Sequence, residues 1–464
     1  MFFINIRWQA SSLALRHGCG WSCRGFRGFI QTMAAINPKL KIVPALLGWF
    51  AQNARDLPWR RTRDPYAIWV SEIMLQQTQV KTVIPYWKRW MRELPNIRAV
   101  AKARSEKIHK LWEGLGYYTR ARNLQKAAKQ IMEKHDGRFP DHFADVLALP
   151  GIGRYTAGAI CSIAFNQPVP ILDGNVIRVL TRVFGIAKNP KMKEANGRLW
   201  DLAELLVASA AKYRAPRNSR RKEAHSKITN SQSLLTSAAT IAENCSSLNQ
   251  SLMELGALVC TPRNPRCEIC PVKNLCVAFR EGRIGELPNL GKREAATARR
   301  FVGFVIERNG RFLVRQRPAG AVNAHLWEFP NVEIHPRPGS SPAKRDQSAH
   351  YSPRKSQSRL TSAATVREPD FEIIHAAKSL GIEPPAILPL CTVKHSITRY
   401  RITLEAFHVH LGGASSARPH NKMGRRGTPP SGKNNVWLPL AKLSPLAFTS
   451  AHRKILQTFN SKTT

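Results

Sequence analysis

The stretch at residues 149–176, LPGIGRYTAGAICSIAFNQPVPILDGNV, limits what this chain can fold into more than any other. Gly151 and Gly153 bracket a tight turn after Pro150 and predict a hairpin leading into a helix that starts near Tyr155. Such a turn aims backbone N–H groups outward at a helix N-terminus, an arrangement suited to a phosphate. A Gly-rich turn alone is weak evidence, because most such turns are only loops. This one is followed by an isolated carboxylate, Asp173, with Ile171 and Leu172 before it and Gly174 and Asn175 after it.

A second isolated carboxylate lies upstream. Asp64 and Pro65 predict an N-cap and first turn, and behind them runs YAIWVSEIMLQQTQV, in which apolar side chains surround the single acid Glu72. A carboxyl among Trp69, Val70, Ile73, Met74 and Leu75 is desolvated, which raises its pKa and keeps it protonated at neutral pH. Asp173, beside polar neighbours and a helix start, is expected to be ionised. Two carboxyls in divergent environments suit N-glycosidic cleavage: one protonates the leaving base, and the other stabilises the sugar cation. The plainer reading of Glu72 alone is a buried carboxylate bonded to backbone.

Nine cysteines are present, and Cys260, Cys267, Cys270 and Cys276 form the pattern C-x6-C-x2-C-x5-C. The others (Cys19, Cys23, Cys161, Cys245, Cys391) are scattered and odd in number, which favours a metal site in a reducing compartment over a disulfide framework. Spacing alone leaves zinc and iron–sulfur both open. Three basic residues, Arg263, Arg266 and Lys273, lie within this loop.

With 72 Lys and Arg against 30 Asp and Glu, the formal charge is +42. An excess this large points to a polyanion, nucleic acid first. A membrane surface is the weaker alternative, and no apolar run is long enough for a transmembrane helix. At 464 residues there is room for two or three domains. Residues 1–36 lack acids and resemble a transit peptide in composition; they read better as a disordered basic extension, or as sequence upstream of a start at Met33. Residues 37–213 are predicted helical, 214–247 a flexible basic insertion, 248–280 a helix with the cysteine loop, and 281–299 a linker. From residue 300 to 457 the period shifts toward strands, with Asn309-Gly310 as a hairpin turn.

The motifs WVSEIMLQQTQV, WEGLGYYTRARNL and LDGNVIRVL closely resemble the MutY-type adenine DNA glycosylases of the endonuclease III, helix-hairpin-helix superfamily. The resemblance covers residues 57–276 apart from the insertion and is weaker across 300–457. It implies an α-helical helix-hairpin-helix glycosylase domain with an iron–sulfur cluster loop, followed by a C-terminal α+β Nudix-like domain that reads 8-oxoguanine. It implies a [4Fe–4S] cluster on the four cysteines. The activity implied is removal of adenine opposite 8-oxoguanine or guanine in double-stranded DNA, by a monomer. By that match Glu72 protonates adenine at N7, and Asp173 stabilises the oxocarbenium ion. Tyr155 and Asn175 support Asp173 and the attacking water. Gln77 and Tyr117 insert at the 8-oxoguanine side, and Trp59 and Arg60 line the adenine pocket. For Trp59 and Tyr117 an ordinary core role weighs nearly as much.

Position 155 separates two branches of the superfamily. Where the bifunctional branch carries a Schiff-base lysine, this chain has Tyr155, and a phenol cannot form an imine. Hydrolysis without strand cleavage is therefore expected. The rivals are a bifunctional endonuclease III-type lyase and a non-catalytic mispair-binding protein. In the C-terminal part, RQRPAG and LWEFPNVE resemble the Nudix-like domain, yet no Glu-rich metal-binding helix is seen, so pyrophosphatase activity is not expected. The family's lesion-reading triplet, aromatic–Ser/Thr–His, falls here on Ile397, Thr398 and Arg399; Thr398 keeps a hydroxyl for the purine edge, while its neighbours depart from the pattern. His395 reads as structural. The expected compartment is the cytoplasm at the nucleoid if the source is bacterial, or the nucleus or mitochondrion if eukaryotic.

Overall fold

The computed structural model describes residues 41–214, 243–291, 294–335, 371–382, 386–397, 399–411 and 434–463. The basic extension 1–36, most of the insertion and Thr398 lie outside them. The helical part runs α1 (Ile42–Asn53), α2 (Pro65–Leu75), α3 (Val80–Glu93), α4 (Ile97–Lys102), α5 (Ser105–Trp112) and α6 (Thr119–Lys134). It continues with α7 (Phe143–Leu147), α8 (Arg154–Phe165), α9 (Gly174–Phe184), α10 (Lys193–Lys212), α11 (Asn244–Leu258) and α12 (Val277–Arg280). The C-terminal part is β1 (Thr297–Arg308), β2 (Arg311–Gln316), β3 (Trp327–Glu328), β4 (Asn331–Ile334), α13 (Phe371–Ser379), β5 (Leu388–Ile397), β6 (Tyr400–His410), β7 (Asn435–Pro439), α14 (Leu440–Leu443) and α15 (Ser450–Thr463). No described helix is long and apolar enough to cross a membrane.

The chain divides into two units, Met1–Met91 with Ala127–Lys292, and Arg92–Lys126 with Arg293–Thr464. The second therefore joins α4 and α5, which read as part of the helical region in sequence, to the C-terminal strands. In the first unit, Ile42, Val43 and Leu46 of α1 pack with Val176, Val179 and Leu180 of α9, Leu199 and Leu202 of α10, and Leu248, Leu252 and Leu255 of α11. The helix α11 begins at Asn244, four residues before position 248, where the insertion was expected to give way to helix. The run Asn244–Ser247 has no apolar period to reveal it, but Ser246 N–H donates to Asn166 Oδ1 at 3.1 Å and Cys245 is buried.

The helices α9 and α11 cross at Gly256. A Cβ there would sit 2.6 Å from Asn175 Cβ and 3.0 Å from its Cα. Gly256→Ala must push the two helices apart, and we expect a loss of about 1–3 kcal/mol of stability, read by thermal unfolding. A similar approach occurs at Gly158, whose Cβ would lie 2.3 Å from the carbonyl oxygen of Pro170.

In the second unit the strand order is β3-β2-β1-β6-β5, with β4 added to β1 and β7 to β2. The pair β1–β6 is parallel, and the other pairings are antiparallel. Side chains alternate across the sheet. Val305, Phe312 and Val314 meet Ile455, Leu456 and Phe459 of α15 on one face. On the other, Phe304, Ile306 and Leu313 meet Ile373 and Ala377 of α13. Asn309 and Gly310 both take positive φ, 50° and 67°, as the predicted two-residue hairpin requires.

Candidate active site

The helix α2 carries Glu72 into the core. Asp64 caps it, accepting from the N–H groups of Tyr66 and Ala67, and Pro65 fills the first turn. The helix is buried from Tyr66 to Met74, so it is apolar on every side and Glu72 has no route to bulk water along it. Glu72 is 5% exposed. Burial raises its pKa to about 7; the negative charge of Asp173 adds to the rise, while the Tyr155 hydrogen bond and the charge of Arg60 oppose it. The Tyr155 hydroxyl donates to Glu72 Oε2 at 2.7 Å, and it also lies 3.4 Å from Met253 Sδ. The resemblance has Tyr155 supporting Asp173; its hydroxyl bonds Glu72, and the Asp173 charge also reaches it. Burial pushes the phenol's pKa well up, helped by the charges of Glu72 and Asp173, so it keeps its proton and acts as a donor.

Asp173 is the N-cap of α9. Its Oδ1 accepts from Val176 N–H at 2.7 Å and its Oδ2 from Asn175 Nδ2 at 2.9 Å. These donors and Arg178 hold the carboxylate toward ionisation, as polar neighbours were expected to. Burial is nonetheless the largest effect and leaves its pKa raised. The two carboxyls therefore diverge in degree rather than in sign. Asn175 is itself fixed: its Oδ1 accepts from Arg178 Nη2 at 2.8 Å, and Arg178 also donates to Gly256 O at 2.8 Å and Cys260 O at 2.7 Å.

The hairpin stands as predicted. Ile152 N–H returns to Leu149 O at 3.1 Å. Gly151 has φ of 80°, the position of a type II turn that needs glycine. Gly153 caps α8, and a Cβ there would meet nothing, so the space before the helix N-terminus is open.

Arg60 and Trp59 both have partners of their own. Arg60 forms an ion pair with Glu254 at 3.0 Å, and Arg55 grips the same carboxylate through Nε at 2.7 Å and Nη2 at 2.8 Å. Both arginines hold the Glu254 carboxyl down at about 2 against the opposing effect of burial. Arg60 is thus already paired, although its charge still reaches Glu72. Trp59 is buried, edge-on to Trp87 with centroids 6.1 Å apart. Sequence reading missed Glu254 and Arg178. Glu254 gave the same signal as Glu72, a lone acid in an apolar helical run. Gln77 and Tyr117 are exposed and share one backbone trait, a left-handed φ of 56° and 46°. Such strain in non-glycine residues concentrates at functional positions. Beside Thr398, which lies outside the described residues, the Arg399 guanidinium stands 5.3 Å from the Tyr400 ring centroid.

The four cysteines line one cavity together with Val179, Arg182 and Val272. Among the described residues no three His, Cys, Asp or Glu side chains are spaced to hold a single metal ion. Four free thiols around one cavity are the thiolate donor set that an iron–sulfur cluster takes. Buried Arg182 supplies positive charge, its Nη1 3.4 Å from Cys260 Sγ, and it fastens the loop by donating to Thr261 O at 2.8 Å. Of the loop's basic residues, Arg266 donates to Leu258 O and Lys273 pairs with Glu268 at 2.6 Å.

Residues 260–276 match the iron–sulfur binding domain of endonuclease III, and the chain carries a [4Fe–4S] cluster, which these four cysteines would hold. Residues 70–204 match the HhH-GPD superfamily of base excision DNA repair proteins, and 301–458 match the NUDIX domain. Rat adenine DNA glycosylase is 38% identical over 344 residues, covering 63% of this chain and 60% of the rat protein. Human adenine DNA glycosylase is 36% identical, covering 63% of this chain and 57% of the human protein. The chain thus spans about 60% of the length of these mammalian relatives. The adenine DNA glycosylase of Buchnera aphidicola subsp. Schizaphis graminum is 36% identical over 289 residues, covering 62% of this chain and 74% of the bacterial protein. Identity at this level across three-quarters of a complete relative, on an iron–sulfur helix-hairpin-helix core joined to a Nudix domain, shows that the chain belongs to the adenine DNA glycosylase family.

Proposed function

We propose that this protein is a monofunctional adenine DNA glycosylase, hydrolysing the N-glycosidic bond of adenine paired with 8-oxoguanine or guanine in duplex DNA. The observation that carries the reading is the pairing of a carboxyl poised at about 7 with a donor-held carboxylate close enough for their charges to interact. Adenine leaves the stack to reach Glu72, at a cost of a few kcal/mol that a mispair reduces. Glu72 delivers its proton to the base as the bond between the base nitrogen and C1′ breaks, and the electron pair departs with the base. Asp173 faces the positive sugar cation, its negative charge fixed in place by Val176 N–H and Asn175. Water then adds to C1′ and gives up a proton to the Glu72 carboxylate, which restores the acid. Tyr155 keeps its hydroxyl on Glu72 Oε2 throughout, orienting the acid.

Gln77 and Tyr117 insert at the 8-oxoguanine side, a role supported by exposure and a left-handed backbone in both. The hairpin amides at Gly151 and Gly153 hold a phosphate, with the net charge of +42 supplying general attraction to the duplex. The protein acts as a monomer, at the nucleoid in a bacterial cell or in the nucleus or mitochondrion of a eukaryote. The test is single-turnover cleavage of A:8-oxoguanine and A:G duplexes with and without hot alkali. Strand breaks only after alkali are expected; breaks without it favour the bifunctional reading, and no abasic product the non-catalytic one.

The cluster organises the DNA-facing loop rather than the chemistry. Cys267→Ser is expected to weaken duplex binding about tenfold, the equivalent of roughly 1.4 kcal/mol of lost phosphate contacts. It should slow base release from bound duplex far less. Affinity measured by fluorescence anisotropy checks this, and an unchanged Kd in cluster-free protein would count against the docking role.

A further inference from the structure

The turn that carries Tyr117 is gripped by the C-terminal part of its own unit at two places. At one, Glu113 Oε1 accepts from Phe448 N–H at 2.9 Å and from Arg453 Nε at 2.8 Å, while Oε2 accepts from Arg453 Nη2 at 2.7 Å and Lys110 Nζ at 2.9 Å. Arg453 also donates to Leu446 O at 2.6 Å, and Lys110 to Ser444 O at 2.7 Å. At the other, Arg122 Nη1 donates to Ala324 O at 3.2 Å, and the rings of His109 and His325 lie nearly parallel, 6.5 Å apart. The side chains of Glu113 and Arg453 are only 13% and 17% exposed. A forked, enclosed pair of this kind resists the solvent competition that weakens surface ion pairs.

Between these two grips the backbone turns left-handed, with strain only where the residue is not glycine. Gly114, Gly116 and Tyr117 have φ of 107°, 70° and 46°. Inside the turn Trp112 Nε1 donates to Gly116 O at 3.0 Å, and Arg120 Nη2 donates to Leu115 O and Gly116 O at 3.0 and 3.2 Å. The Arg120 guanidinium stands over both the Trp112 and Tyr117 rings, at 5.3 and 5.7 Å. A left-handed tyrosine persists only where its surroundings over-determine it. Glu113 is the point at which residues 444–453 supply that constraint.

We propose that Glu113 is a positioning residue: held by Arg453 and Phe448, it fixes the turn that aims Tyr117, and through it the C-terminal part sets discrimination between 8-oxoguanine and guanine opposite adenine. This rests on the reading of Tyr117 as the residue inserted at the lesion side. It gives the C-terminal part a hold on selectivity separate from the hairpin at Ile397 and Arg399, where the chain departs from its family's triplet.

The test uses the full chain. Glu113→Gln removes the charge but leaves an acceptor for Phe448 N–H; Arg453→Lys keeps the charge but loses the fork. Each is expected to lower the ratio of single-turnover rates, A:8-oxoguanine over A:G, by about tenfold while leaving the A:G rate nearly unchanged, the scale of coupling between contacting residues. In a Tyr117→Ala background, which lowers the ratio itself, neither change should lower it further. Equal slowing on both duplexes, an unchanged ratio, or full additivity with Tyr117→Ala would each overturn the proposal. Amide hydrogen exchange across residues 113–118 reads the clamp without any activity. Faster exchange in Arg453→Lys supports it and unchanged exchange overturns it, even if wild-type protein releases no adenine and the proposed activity itself fails.

Discussion

Glu72→Gln is expected to slow adenine release by roughly 10²–10⁴-fold, the usual contribution of a positioned general acid, with duplex affinity retained. The amide keeps the shape of the side chain and a carbonyl oxygen for the Tyr155 hydroxyl, so the loss reports the proton alone. In wild type the working form is the protonated acid, whose pKa is about 7. The single-turnover rate should therefore fall as pH rises through about 7, and the glutamine variant should lack that limb. Stability carries the same signature with a definite sign. The folded carboxyl titrates at about 7 against an ordinary value of 4.5, so between those values the folded state holds a proton the unfolded state has released. Stability is then highest below 4.5 and falls as pH rises to about 7. Glu72→Gln has no such loss, and at pH 8 it should exceed wild type by roughly 3 kcal/mol at most. Melting curves at acid and alkaline pH check this; an equal pH slope in both proteins would mean that Glu72 is ionised in the fold.

The parts of this site that could be read in the sequence are those whose causes are local. Asp64 before Pro65 caps α2 within three residues, Gly151 turns the hairpin, and Asn309-Gly310 closes β1 onto β2. A lone acid in an apolar helix is desolvated whatever its partners, which is why Glu72 could be recognised before any fold was known. What could not be read depends on distant chain. Glu254 meets Arg55 and Arg60 across separations of 199 and 194 residues, and Glu113 meets Arg453 across 340. No spacing rule encodes such meetings. The same limit hides the hydrogen bond from Tyr155 to Glu72, which depends on how α8 crosses α2. At Asp173 the donors are neighbours in sequence and could be read, while the burial that raises its pKa is tertiary and could not. The edge strand β5 escaped detection because only Leu390 and Val393 of its ten residues are buried.

Asp173→Asn separates the structural duty of that residue from its chemical one. As N-cap of α9 it accepts from Val176 N–H, and asparagine caps a helix about as well as aspartate. The cost to stability comes from Oδ2, which accepts from Asn175 Nδ2. An amide NH2 placed there would face another NH2, and Asn175 cannot turn over because Arg178 holds its Oδ1. One unmade buried hydrogen bond costs about 1–3 kcal/mol, a modest drop in Tm. The chemical loss should be far larger. Removing the negative charge that Asp173 sets against the sugar cation is expected to slow base release by roughly 10²–10³-fold, the usual effect of deleting one fixed electrostatic partner. A second effect runs through Glu72, whose pKa is raised in part by the Asp173 charge. Without that charge Glu72 gives up its proton more readily, so the alkaline limb of the remaining activity should move to lower pH. A variant that keeps its rate, or one whose limb stays in place, would show that the two carboxyls do not act on one another across a shared substrate.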